Sequence, residues 1–117
     1  MNQSPQIATN QVMLLGRLCH SPNLYHRSNG TPKASFQIAV PRSLRSTSRS
    51  HVQLNQGDKQ MDFITVVLFG NSARELHSKK LARGTWVNVR GRLRTRRHRK
   101  WEVVAHIVAP IQPVNDT

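Results

Sequence analysis

The stretch from Trp86 to Val104, WVNVRGRLRTRRHRKWEVV, limits the possible folds more than any other part of the chain. From Trp86 to Arg96 the residues alternate in character with a period of two, the signature of a strand whose faces meet different surroundings. Val87, Val89, Gly91 and Leu93 take one face, while Trp86, Asn88, Arg90, Arg92, Arg94 and Arg96 take the other. The polar RRHRK follows and then the apolar WEVVAHIVAPI, so two strands joined by a basic tip are expected. A solvated strand face usually mixes charge signs, yet no Asp or Glu occurs between Thr85 and Trp101. Like charges in a row repel one another, so this face suits an anionic ligand better than it suits solubility alone.

Three further strands are legible upstream. QVMLLGRLC places Val12, Leu14, Gly16 and Leu18 on one face with Met13, Leu15 and Arg17 on the other, apolar enough to be paired or packed on both. Gly16 within it marks a bend or a close backbone approach. HSPNLYHRSNGTPK is rich in turn formers, with Asn29 and Gly30 able to take positive φ. ASFQIAVP alternates Phe36, Ile38 and Val40 with Ser35, Gln37 and Ala39. MDFITVVLFG is the strongest strand, with Ile64, Val66 and Leu68 facing one way and Phe63, Thr65, Val67 and Phe69 the other. NSARELHSKKLARG reads as a helix: Ser72 and Glu75 form a capping box, Ala73, Leu76 and Leu81 a narrow apolar stripe, and Gly84 a C-terminal stop.

The expected domain spans residues 11–112, after a flexible segment over 1–10 and before a short tail over 113–117. Residues 41–60, rich in Ser, Gln and Arg, read as a flexible basic loop carrying Arg42, Arg45 and Arg49. With 117 residues only one modest core can form. The resulting order, three strands, a helix and two strands, all short, is that of an all-β OB-fold barrel with five strands and its helix between strands three and four.

Composition narrows the function. Eighteen Lys and Arg against five Asp and Glu give a formal charge of +13, which points to a polyanion and to nucleic acid ahead of a membrane surface. No amphipathic basic helix, spanning segment or signal peptide is visible, so a cytoplasmic, nucleoid-associated protein is expected. Cys19 stands alone and the six histidines have no ligand spacing, so neither a disulfide, a metal site nor a cofactor is expected. Without a carboxylate cluster, a phosphate-cradling glycine loop or a nucleophile and base pair, the chain does not read as an enzyme.

The segments NQVMLLGRL, SPNLYHRSNG, FQIAV, DFITVVLFGNSAREL and KLARGTWVNVRGRLRTRR, in this order, resemble the bacterial single-stranded DNA-binding protein (SSB) family over nearly the whole chain. The resemblance implies an OB-fold that binds single strands with little sequence preference as a homo-oligomer, commonly a tetramer, in replication, recombination or repair. It also implies base stacking at Phe63 and Phe69, which are otherwise core residues; about 20 Å apart, they would take different nucleotides. Where many relatives carry tryptophan this chain has Leu44 and His98, so Trp86, Trp101 and Tyr25 are the remaining candidate stackers. The phosphate-binding candidates are Arg17, Lys33, Arg42, Arg45, Arg49, Arg90, Arg92, Arg94, Arg96, Arg97, Arg99 and Lys100. The closing QPVNDT lacks the family's acidic, aromatic tip, so recruitment of repair enzymes through a tail is not expected. The short chain also resembles primosomal replication protein B, a dimeric relative acting in replication restart, and an RNA-binding OB protein is a third reading.

Overall fold

The computed structural model describes residues 7–42 and 60–112. Six strands and one helix follow one another: β1 (Val12–Leu18), β2 (Asn23–His26), β3 (Pro32–Pro41), β4 (Met61–Phe69), α1 (Asn71–Ser78), β5 (Trp86–Arg96) and β6 (Lys100–Pro110). The sheet runs β1-β5-β6-β4-β3-β2, and a further pairing of β1 with β3 closes the first five of these into a barrel. All pairs are antiparallel except β4 with β6, which meet in parallel at Val66 with Val103 and Val67 with Val104. The barrel is the expected one, with the helix leading from β4 to β5.

The inward residues are the apolar halves of the alternating strands. Leu18, Phe36, Ile38, Val66, Leu68, Val87, Val89 and Val103 are buried together, and α1 adds Ala73 and Leu76 to the same core. Closure needs backbone contact where β1 crosses β3. At Gly16 a Cβ would lie 2.7 Å from the Ala39 carbonyl oxygen, closer than real Cβ atoms come, so only glycine lets the strands meet there. Gly91 has the same function opposite β6, where its Cβ would sit 2.7 Å from Ala105 Cα and closer still to the Val104 carbonyl oxygen. The register slips at this point, Arg90 facing Ile107 and Gly91 facing Ala105, so His106 is the extra residue of a bulge.

Several local expectations change. β2 lies inside the stretch read as turn: Asn23 to His26 pair along Ser35 to Pro32, adding an edge strand to the barrel. Four residues between turn formers are too few to show an alternation, and tertiary pairing creates the strand. Arg27 to Thr31 form the turn between β2 and β3, with Gly30 at φ +89° and Thr31 N–H donating to Asn29 Oδ1. α1 has no side-chain cap; the chain leaves β4 through Gly70, whose carbonyl accepts from Ala73 and Arg74, so Ser72 is already in the first turn and no capping box forms. The helix stops at Ser78, well before Gly84, because Lys80 takes a left-handed conformation and Leu81 turns to pack on the core; Gly84, φ +88°, belongs instead to the entry into β5.

β1 does not pack on both faces within the chain. Its outward side chains Met13 and Leu15 are 64% and 50% exposed. Pro41, placed in the loop by the sequence, pairs with Met61 as the last residue of β3. Arg45 and Arg49, with most of the loop, lie outside the described residues.

Candidate nucleic-acid interface

Cross-strand partners share a face, so the register assembles the outer surface residue by residue. The outward face of β4 carries Phe63, Thr65 and Phe69, with Val67, of the same parity, buried between them. Phe69 is opposite Lys33 of β3, and Lys33 is opposite Tyr25 of β2. On the other side Val67 is paired with Val104, which is opposite Arg92; two residues on, Glu102 faces Arg94, and then Lys100 faces Arg96. One continuous surface therefore carries Tyr25, Lys33, Phe63, Phe69, Arg92, Arg94, Arg96 and Lys100.

Phe69, half-buried, is the hub of this surface. The Arg27 guanidinium lies 5.0 Å from its ring centroid, that of Arg94 5.6 Å and the Lys33 ammonium 5.9 Å. Lys33 is also 6.0 Å from the Tyr25 ring. The negative face of an aromatic ring attracts cations at these separations, so three charges from three strands or turns are gathered around one side chain. Arg27 was not among the residues singled out by sequence; its place as first residue of the turn after β2, two positions from Tyr25, was the available signal. Phe63, at the other end of β4, is 63% exposed and carries no such cations.

Beside this hub, Lys33, Arg94, Arg96, Arg97 and Lys100 line an open basin of about 640 Å³ whose wall also includes Glu102. Glu102 is 2% exposed. Its Oε2 accepts from Arg94 Nε at 2.9 Å and from Arg94 Nη2, and Arg96 Nε stands 3.5 Å from Oε1. Glu102 too escaped the sequence reading, although counting outward from the tip, Arg96 with Lys100 and Arg94 with Glu102, places it opposite an arginine. Arg97, His98 and Arg99 form a single 3-10 turn at the tip, all exposed, with His98 and Arg99 both at φ 62°.

Other candidates lie apart from the Phe69 hub. Arg42 is held at the start of β4: its Nε and Nη2 donate to Asp62 Oδ1 at 3.0 and 2.9 Å and its Nη1 to Gln60 at 2.6 Å. The hydrogen bond to Asp62 and that carboxylate's charge push the Arg42 guanidinium further above its ordinary value. Trp86 and Arg90 share the outward face of β5 with Arg92 to Arg96, yet their neighbours differ. Arg17, 5.4 Å from the Trp86 ring, Met13, Leu15 and Ile107 border that end of the strand. The arginine face expected from the alternation is thus divided in two, a cationic aromatic half and an apolar half. Trp101 is opposite Thr95 and so has the opposite parity to Arg94 and Arg96. It is 59% exposed and lines, with Phe63 and Leu93, a groove of about 250 Å³ where β4 and β6 diverge.

Among the described residues no cluster of His, Cys, Asp or Glu could hold a metal ion, and no helix is long and apolar enough to cross a membrane. The surface can pair phosphates and stack bases.

Comparison with known proteins agrees with this geometry. Residues 9–111 match the model of the single-strand binding protein family. The chain belongs to that family. It is 32% identical over 114 residues to single-stranded DNA-binding protein 1 of Staphylococcus aureus strain MSSA476, covering 91% of this chain and 67% of that protein. Over 87 residues it is 36% identical to the single-stranded DNA-binding protein of Oceanobacillus iheyensis, covering 74% of this chain and 48% of the relative. Among solved structures, a deletion variant of the Thermus aquaticus single-stranded DNA binding protein superposes with a TM-score of 0.66 at 26% identity, over 93% of this chain but 43% of that one. The small single-stranded DNA-binding protein of Streptomyces coelicolor, at 21% identity, shares the fold with a TM-score of 0.68 over 91% of this chain and 96% of its own.

Proposed function

We propose that this chain binds single-stranded DNA with little sequence preference, the bases stacking on Phe69, Phe63 and Tyr25 and the phosphates pairing with Lys33, Arg27 and the arginines of the β5–β6 hairpin. The observation that carries this reading is the gathering of Arg27, Lys33 and Arg94 around Phe69, which puts phosphate partners within one nucleotide's reach of a stacking ring. Stacking is indifferent to sequence because every base has a π-face, and it requires bases freed from a duplex. Arg97, Arg99 and Lys100 at the hairpin tip extend the cationic track. The domain is the barrel over residues 11–112.

Membership of the family supports a role in DNA replication, recombination or repair, and we read the chain as a binding protein of the cytoplasm rather than an enzyme. A homo-oligomer fits the second half of the outer surface. Met13, Leu15 and Ile107 expose apolar area around the half-buried Trp86 and Asn88, and a second copy of the chain would cover it. Trp86 then belongs to the subunit contact and Arg17 stacks on it there.

A competition titration tests the binding reading: oligo-dT against duplex DNA of equal length at several salt concentrations. Preference for the single strand is expected, and neutralising four to six phosphates would make log affinity fall with log salt at a slope of roughly −3 to −4. Equal or tighter binding to duplex would defeat it.

A further inference from the structure

A carboxylate buried inside a surface that binds a polyanion is an anomaly on charge grounds. Glu102 is the one acid among the described residues of the β5–β6 hairpin, and it is 2% exposed in the midst of Arg94, Arg96 and Lys100. Stability alone does not account for it, since a buried ion pair is commonly no better than apolar residues of the same size. Its geometry is specific, however. Oε2 takes both Nε and Nη2 of Arg94, and this fork fixes the guanidinium plane. A guanidinium has five N–H donors, and among the described residues nothing accepts from Nη1 of Arg94, whose side chain remains 40% exposed. The same plane stands 5.6 Å from the Phe69 centroid. Oε1 of Glu102 carries no hydrogen bond and lies 3.5 Å from Arg96 Nε, a lone-pair site that holds the second arginine by charge alone.

We propose that Glu102 is a positioning residue for single-strand binding: it holds Arg94 over Phe69 with its Nη1 edge turned to the basin, where a backbone phosphodiester is seated, and keeps Arg96 alongside. An arginine free to move would lose side-chain entropy each time it met a phosphate; Arg94 has lost it on folding. The inference rests on the single-strand reading above and adds to it a sign that charge counting reverses. Removing a negative charge from a polyanion site should tighten binding if only charge matters. If Glu102 acts by position, removing it weakens binding.

The test is the set E102Q, R94Q and R94Q/E102Q, titrated with oligo-dT at two salt concentrations, with thermal melts of each protein. E102Q should bind about three- to tenfold more weakly than the unaltered chain, the range expected from one charge-assisted contact partly lost. The double variant should bind no more weakly than R94Q, because Glu102 acts through Arg94. Binding by E102Q as tight as the unaltered chain or tighter overturns the proposal, and so does an undiminished E102Q effect in the R94Q background. Should E102Q not fold, the Nε–Hε proton of Arg94 in the unaltered protein decides. Slow exchange relative to Arg97 and Arg99 before DNA is added, with a shift of its resonance on adding oligo-dT, supports the proposal; exchange as fast as theirs overturns it. An unaltered chain that does not bind oligo-dT at all would instead remove the single-strand reading itself, whatever the exchange of Arg94.

Discussion

Substitution of Phe69 separates stacking from packing. The ring is half-buried at the end of β4, opposite Lys33, with Arg27 and Arg94 at 5.0 and 5.6 Å from its centroid. Phe69→Leu keeps most of the apolar volume and all of the surrounding charge while removing the π-face. A stacked base contributes about 1 to 3 kcal/mol on alanine substitution, so loss of the ring should weaken oligo-dT binding roughly 5- to 150-fold. The number of cations is unchanged, so the slope of log affinity against log salt should stay within experimental error of the unaltered chain's. The assay is a titration of fluorescently labelled oligo-dT at 50 and 200 mM salt, with a thermal melt to show that the barrel persists. A Phe69→Leu protein that binds as tightly as the unaltered chain would refute the stacking assignment, and a large drop in the slope would show that the ring acts by holding cations rather than by stacking.

Three other outcomes follow from the packing. Gly16→Ala places a methyl group 2.7 Å from the Ala39 carbonyl oxygen, so the β1–β3 crossing must open, and denaturant titration should show a loss of about 1 to 3 kcal/mol. Ile38→Ala, at a position with no exposed surface, should cost about 2 to 5 kcal/mol in the same measurement; a smaller loss would mean that Ile38 is not in the core. Leu15→Glu sets a charge into the exposed apolar half of β1, and sedimentation should find a lower assembly state with oligo-dT affinity per chain largely kept for short oligomers. An unchanged mass would remove that face as the subunit contact.

The barrel was legible because its strands are periodic: alternation separates Phe36, Ile38, Val87 and Val89 from their polar neighbours and puts Ile64, Val66 and Leu68 on one face of β4, while the fold shows which of the two apolar faces of β4 turns inward, and Gly16 is marked by its place in an apolar run. β2 was not, since four residues flanked by turn formers acquire strand geometry only from pairing with β3. The helix ends were misplaced because Gly70 and Lys80 take left-handed conformations that the chain path imposes, whereas the sequence offered Ser72 and Gly84 as the local signals. The site was legible as a list rather than as an arrangement. Periodicity put Arg90 and Arg94 on one strand face, but only the neighbouring strands reveal that Arg90 faces Met13 and Ile107 while Arg94 faces Glu102. Trp101 likewise stands beside the basic tip in sequence, yet the hairpin register turns it to the face opposite from Arg94. Arg27 gains its place beside Phe69 only where β2, β3 and β4 converge, whereas Glu102 follows from counting back along the hairpin from its tip.

The most direct test of where the strand lies is photochemical cross-linking of a 5-iododeoxyuridine-substituted single strand, with the attached peptides sequenced. Cross-links at Phe69, Phe63 or Tyr25 and none at Trp86 are the predicted result. Cross-links concentrated at Trp86, on the face of Met13 and Leu15, would contradict the account and exchange the two halves of the surface.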